Sequence, residues 1–158
     1  MSLPLRTVYN TFFTEKAKFY IAGNDRAVTH IGFARAFYPL EWIKDENAFK
    51  SEISDLTAFF RGEKKTLNIP YSLEGTDFQK LIWQTIAKIP YGETRSYKEV
   101  AMMAGHPNAQ RAVGNVCNKN RLLLLVPCHR VVAAHGLGGY GGNLEAKKWL
   151  LNNEKENK

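Results

Sequence analysis

The residues best suited to covalent chemistry lie together in LLVPCHRVVAAHGLGGYGG, residues 124–142. Cys128 follows a proline and an apolar run, His129 and Arg130 come next, and Gly136, Gly138, Gly139, Gly141 and Gly142 form a loop around Tyr140. A thiolate is a strong nucleophile, but a free thiol, with a pKa of about 8.5, is mostly protonated at neutral pH. An adjacent imidazole is a base that raises the reactive fraction. Glycines let backbone N–H groups approach a flat ligand closely. A lone cysteine more often packs as a small hydrophobe, and Cys117, which has no such neighbours, is read as core or incidental. Cys128 is read as a candidate nucleophile.

Other chemistries fit the same residues less well. Two cysteines do not make a disulfide framework, and a reducing compartment leaves both as thiols. Cys117, Cys128, His129 and His135 lack the paired spacing of structural zinc, so neither a metal nor another cofactor is expected. His135 reads as a solvated loop residue and His106 as a turn residue beside Pro107. A thiol hydrolase would need an acyl substrate and an oxyanion hole.

The elements that must position this segment are marked by start and stop signals. TVYNTFF, AKFYIA and AVTHIGF, within residues 7–33, are rich in aromatic and β-branched residues and predict a small antiparallel sheet. Phe49, Ile53, Leu56 and Phe60 recur at helical spacing before Gly62, predicting one helix over that sheet. Thr76 and Gln79 form a capping box for a helix whose buried face is read as Phe78, Leu81, Ile82 and Ile86, and Pro90 stops it. Ser96 and Glu99 form a second capping box, Gly105 ends that short helix, and Asn108 is expected to cap AQRAVGNVCNKN. Residues 96–118 thus have helix-turn-helix form. RLLLLV reads as a buried strand that Pro127 ends, delivering Cys128 to the edge of the core.

The predicted class is α+β: a small N-terminal antiparallel sheet with a helix, then a mainly helical C-terminal domain with a helix-turn-helix and a short strand leading to Cys128. A turn-rich stretch with little apolar pattern places a boundary within residues 62–74, giving units 1–68 and 69–158. Trp83 and Trp149 are read as core, Met102 and Met103 as filler, Lys147 and Lys148 as a solvated face, and Arg130 as a brace for the site. The net charge of +7 favours a polyanionic partner such as nucleic acid. No apolar run approaches the roughly 20 residues of a spanning helix, and MSLPLRTVYN has no continuous apolar region followed by a cleavage site. A cytoplasmic protein with no membrane partner is expected.

PYGETRSY, AGHPNAQRAVGN, VPCHRVV, GGYGG and KKWLLNNE, in this order over about residues 70–154, resemble the O6-alkylguanine-DNA alkyltransferase family, which repairs DNA by moving an alkyl group onto a protein cysteine. The resemblance implies double-stranded DNA carrying O6-alkylguanine as partner, a monomer, and one reaction per molecule. It makes Cys128 the acceptor, His129 its activator through a water, and Glu154 the holder of the other imidazole nitrogen. Asn120 resembles the asparagine tying the helix-turn-helix to the active-site turn, and Tyr140 the tyrosine donating to guanine. Gly141, Val131 and Cys128 would line the same pocket with backbone groups. Arg111 resembles the arginine that fills the gap left by a flipped base, and Tyr97 the residue that crowds the 3′ phosphate and promotes the rotation. Ala109, Ala112, Gly114 and Asn115 lie on the helix that would enter the minor groove. Three departures stand out: Arg121 where proline is common, Gly141 where serine is common, and Asn115 where glycine is common.

Two rival readings remain. A lesion-binding relative without chemistry would replace the acceptor cysteine, and a regulator using residues 96–118 would have no use for PCHR, the glycine loop and Tyr140.

Overall fold

The computed structural model describes residues 6–141 and 143–158, so Gly142 of the glycine loop and Met1–Leu5 of the opening segment lie outside the described residues. β1 (Val8–Phe13), β2 (Lys18–Gly23) and β3 (Val28–Phe33) form the expected antiparallel meander. A fourth strand, β4 (Ile43–Lys44), lies parallel to β1, so the sheet order is β3-β2-β1-β4. Two residues of ladder carry no periodicity, so the sequence pattern does not reveal β4.

α1 (Lys50–Phe60) covers one face of the sheet. Phe19 on the central strand is the hub, with ring centroids 5.5 Å from Phe12, 5.0 Å from Phe33 and 5.9 Å from Phe60. A fully buried phenylalanine contributes about 1.5–3 kcal/mol by removal from water, and offset or edge-on ring pairs add to that. The other face is covered by residues 34–42, where Tyr38 and Trp42 pack on Tyr9 and Tyr20. Both faces of β2 are therefore buried. Gly62 ends α1 in the left-handed conformation, φ 79°.

The remaining helices are α2 (Asp77–Ala87), α3 (Tyr97–Met103), α4 (Gln110–Asn118) and α5 (Leu144–Glu156). Both capping boxes form: the side chains of Thr76 and Ser96 accept from the backbone of Gln79 and Glu99, whose side chains return the bond. β5 (Arg95–Ser96) pairs in parallel with β6 (Val131–Val132), joining the start of α3 to the segment just after Cys128. One apolar cluster runs through both halves of the chain.

Several expectations are corrected. Leu81, expected on the buried face of α2, is exposed, whereas Ile82 and Ile86 are buried and Trp83 is core as read, its Nε1 donating to the Val116 carbonyl at 3.1 Å. Asn108 does not cap α4. It sits at φ 79° within the turn, Ala109 holds the cap position, and no side chain caps the helix; asparagine serves there through its tolerance of the left-handed region. Met102 and Met103 are exposed. In the run Arg121–Val126, pairing is limited to two isolated bridges, Leu122 with Ile31 and Leu123 with Val126, with Ile31 N donating to Arg121 O at 2.6 Å and Leu123 N to Ile31 O at 3.0 Å. The chain then turns at Leu124, φ 75°, and Val126 N donates back to Leu122 O at 2.8 Å. All five residues 122–126 are buried, so the run is apolar because the whole turn is core.

Candidate active site

The turn at Leu124 delivers Pro127 and then a single 3-10 turn, Cys128–Arg130, in which all three side chains are buried. Cys128 N donates to Val126 O at 2.7 Å. Asn120 clamps this turn, its Nδ2 donating to Val126 O at 2.9 Å while its Oδ1 accepts from Leu122 N at 2.8 Å. The loop is therefore held by a side chain at the foot of the helix-turn-helix.

Behind Cys128 lies a buried ionic cluster. Glu154, on the inner face of α5, accepts from His129 Nε2, from Arg130 Nε at 2.8 Å and Nη2 at 3.2 Å, and from Gly92 N at 2.9 Å. Arg130 Nη1 also donates to Ile89 O at 2.8 Å, so the bracing expected of Arg130 has defined partners. Burial would raise the Glu154 carboxyl, but the hydrogen bonds it accepts from His129, Arg130 and Gly92 outweigh burial and hold it at about 2. Burial pushes the His129 imidazole below 6.5. An ionised carboxylate only accepts, so Nε2 of neutral His129 carries the proton and Nδ1 holds the lone pair. Nδ1 is buried and, among the described residues, has no hydrogen-bond partner.

In front of Cys128 a cavity of about 230 Å³ is lined by Asn120, Cys128, Tyr140 and Gly141 from the second half and by Tyr20, Phe33 and Arg35 from the first. The N-terminal region therefore supplies part of the cavity wall, which its sequence did not signal. Arg35 also stacks against Tyr20 and Tyr38, with its guanidinium 5.9 Å from each ring centroid. Cys117 lines the same cavity, contrary to its reading as core or incidental. The Tyr140 ring is 3% exposed and stands edge-on to Phe33 and His129, and its hydroxyl has no partner among the described residues. Burial raises its pKa well above 10, so it keeps its proton and is available only as a neutral donor. An unsatisfied buried hydroxyl costs about 1–3 kcal/mol, a cost recovered when a ligand atom meets it.

Burial pushes the Cys128 thiol up to about 11, with the Asn120 side chain and the charge of Lys147 pulling the other way. Lys147 is the largest departure from the sequence reading: it is fully buried, and Nζ donates to the carbonyls of Val131 at 2.8 Å, Gly139 at 3.1 Å and Leu137. An ammonium group has three donors; here two tie α5 to the loop that carries Tyr140, through Leu137 and Gly139, and the third ties it to β6 through Val131. Val131 is buried, but it does not line the cavity and its carbonyl is used by Lys147. Tyr97, at the start of α3, touches the same loop. Gly138 there has φ 74°, and a Cβ on it would sit 2.5 Å from the Tyr97 hydroxyl. On α4, Arg111 and Asn115 are exposed, while Ala109, Ala112 and Gly114 are half-buried. The structure thus gathers Cys128, His129, Glu154, Asn120, Tyr140 and Gly141, with Tyr97 at the loop and Arg111 out on the helix surface.

Residues 77–156 match the family described as 6-O-methylguanine DNA methyltransferase, DNA binding domain. The chain is 40% identical over 142 residues to a methylated-DNA–protein-cysteine methyltransferase of Methanosarcina barkeri, with 87% of this chain and 90% of that protein covered. The chain belongs to this family. Its relatives include the enzyme of the same name from Mycobacterium tuberculosis, 39% identical over 151 residues, covering 93% of this chain and 92% of that protein. Among solved structures, Mycobacterium tuberculosis OGT in complex with DNA superposes with a TM-score of 0.89 at 38% identity, covering 95% of this chain and 94% of that one. No helix among the described residues is long and apolar enough to cross a membrane.

Proposed function

We propose that this protein repairs DNA by moving the alkyl group of O6-alkylguanine, methyl above all, irreversibly onto Cys128. The observation that carries the reading is the cavity with a buried thiol on one wall, an unpartnered tyrosine hydroxyl on another, and a neutral imidazole behind the thiol whose free nitrogen is set by Glu154.

A base inside a duplex cannot meet a buried sulfur, so the nucleotide rotates out of the stack at a cost of about a few kcal/mol. Arg111 on α4 fills the space it leaves, and Tyr97 at the start of α3 crowds the 3′ phosphate. Ala109, Ala112 and Gly114 permit close approach of the helix to the minor groove, with Asn115 beside them. A thiol held at about 11 is protonated at rest, which protects it until the base arrives. His129 Nδ1 then takes the thiol proton through a water, and Glu154 stabilises the imidazolium that results, as a positioning residue. The sulfur attacks the alkyl carbon, the bond from that carbon to O6 breaks, and the departing guanine anion is held by a hydrogen bond from the neutral Tyr140 hydroxyl while it regains a proton from the imidazolium through solvent. Gly141 offers its backbone N–H to the base. Val131 contributes by anchoring Lys147 and the loop, and Asn120 keeps the thiol turn in register. The thioether is a poor electrophile, so each monomer acts once, in the compartment that holds the DNA: the cytoplasm and its nucleoid, or a nucleus. Within this reading, residues 1–68 support residues 69–158 and complete the cavity through Tyr20, Phe33 and Arg35.

The test is intact mass after incubation with a duplex carrying one O6-methylguanine, followed by peptide mapping. One methyl group per protein, confined to the Cys128 peptide and absent from Cys128→Ala, is expected. Lesion-selective binding without any mass gain would instead establish a binder without chemistry.

A further inference from the structure

Cys117 is the thiol left without a role. It lies in the last turn of α4, and its carbonyl accepts from Asn120 N at 3.1 Å. The Asn120 side chain holds Val126 O at 2.9 Å, and the same carbonyl takes the Cys128 N–H at 2.7 Å. This short chain of bonds seats both cysteines against the one cavity of about 230 Å³, together with the unpartnered, buried hydroxyl of Tyr140. The two thiols are near enough for charge on Cys128 to raise the pKa of Cys117, and Lys147 acts on both in the opposite sense. Both cysteines are free.

We propose that Cys117 is a second acceptor in this cavity, for two-carbon adducts that carry a leaving group at their far end, so that such adducts finish as a bridge between Cys117 and Cys128. The inference rests on the alkyl transfer to Cys128 proposed above. With O6-(2-chloroethyl)guanine, the first step breaks the carbon–O6 bond, forms the carbon–sulfur bond to Cys128, and releases guanine with a proton. The new thioether sulfur then displaces chloride from the adjacent carbon, giving a three-membered sulfonium and a chloride ion. The Cys117 sulfur opens that ring, its proton passes to solvent, and an ethylene unit joins the two sulfurs. No oxidant or reductant enters.

Water competes for the sulfonium and would yield a 2-hydroxyethyl thioether on Cys128 alone. Three features favour the thiol. Cys128 is 6% exposed, which limits access of bulk water. A nucleophile held in the same cavity acts at an effective concentration far above that of a dissolved thiol, with values of about 10⁵ M and more reached in well-oriented cases. Finally, burial pushes the Cys117 thiol up to about 12, but a sulfonium cation formed beside it draws that pKa down when the thiolate is needed. The second nucleophile is therefore activated by the intermediate it intercepts.

The experiment exposes the protein to duplex carrying one freshly prepared O6-(2-chloroethyl)guanine, in parallel with duplex carrying O6-methylguanine, and maps the products by tandem mass spectrometry. A single cross-linked peptide pair joining Cys117 to Cys128 through one ethylene unit, with both thiols lost to alkylating reagents, is the expected result. Cys117→Ser should stop at the 2-hydroxyethyl thioether on Cys128, and mapping of the unaltered protein supplies the same answer should that variant fold poorly. Methyl transfer together with hydroxyethyl product alone from the chloroethyl duplex would overturn the role of Cys117 while leaving the repair reading intact. No transfer from either duplex would overturn both.

Discussion

Replacing Glu154 by glutamine probes the cluster behind the nucleophile. The carboxylate holds His129, Arg130 and Gly92 at once. Glutamine keeps the shape but removes the charge facing Arg130, which is 7% exposed. Breaking one partner of a buried ion pair costs about 3–5 kcal/mol, a large share of the roughly 5–15 kcal/mol of a typical domain. Linkage points to the same scale. The Glu154 pKa falls from 4.5 in the free residue to about 2 in the fold, which corresponds to about 3 kcal/mol at neutral pH. Because the folded value is the lower one, this stability is present above 4.5 and is lost as pH falls toward 2. The parent protein should lose stability through that window, and Glu154→Gln should lack that part of the slope. The effect on rate has a separate cause. A glutamine amide can donate to Nε2, which moves the ring proton to Nδ1 and removes the base. Single-turnover methyl transfer, followed by rapid quench with a labelled O6-methylguanine duplex, should slow by roughly 10²–10⁴-fold. The folded fraction is fixed first by urea unfolding, and the pH–rate profile is recorded alongside. The parent rate should hold from neutral pH down to below 6.5, since burial lowers the His129 pKa and keeps the base neutral; the variant should lose that acid limb. A folded Glu154→Gln protein reacting within about threefold of the parent, with the acid limb unchanged, would refute the relay.

Arg111→Ala should slow transfer from a duplex by tenfold or more, on the order of the few kcal/mol that extrusion costs, while leaving reaction with free O6-benzylguanine near the parent rate; equal losses on both substrates would remove the base-replacement role. Tyr140→Phe should slow transfer by roughly 10–10³-fold through loss of one preorganised donor, and the folded protein should be equally or more stable, because the unpartnered hydroxyl leaves with the change; urea unfolding and single-turnover rates separate the two effects. Lys147→Met should destabilise the protein by about 2–4 kcal/mol, since the carbonyls of Val131, Leu137 and Gly139 lose a charged donor, and hydrogen exchange should quicken at Gly138 to Tyr140; unchanged exchange there would show that the loop is held by other means.

Local signals were enough for much of the scaffold. Thr76 with Gln79 and Ser96 with Glu99 announce two helices, and both boxes are closed in the fold. The three strands of the meander were equally plain, because their aromatic and β-branched residues pack in a sheet whose strand β2 is buried on both faces. The inner stripe of α2 was readable at Ile82, Trp83 and Ile86 but not at Leu81, because a 3.6-residue period allows adjacent columns and the packing of Trp83 against Val116 turns Leu81 outward. RLLLLV misled for a related reason: an apolar run reports burial, and a turn buried on every side looks like a strand.

The site divides in the same way. Cys128, His129 and Arg130 are neighbours in the chain, so the candidate nucleophile and its candidate base were legible in the sequence, as were the capped helix that begins at Tyr97 and the helix that carries Arg111. What lies across the cavity was decided only by tertiary structure. Arg35 and Phe33 reach it from β3 and the segment after it, and Cys117 from the end of α4, while Lys147 supports the site from a helix whose exposed-looking charge binds three carbonyls. A lysine on a helix face reads as solvated, because pattern reports only the average fate of a residue type. Its burial depends on whether a neighbouring loop and strand fold back to present carbonyl oxygens at that place, and only the packed chain sets that condition.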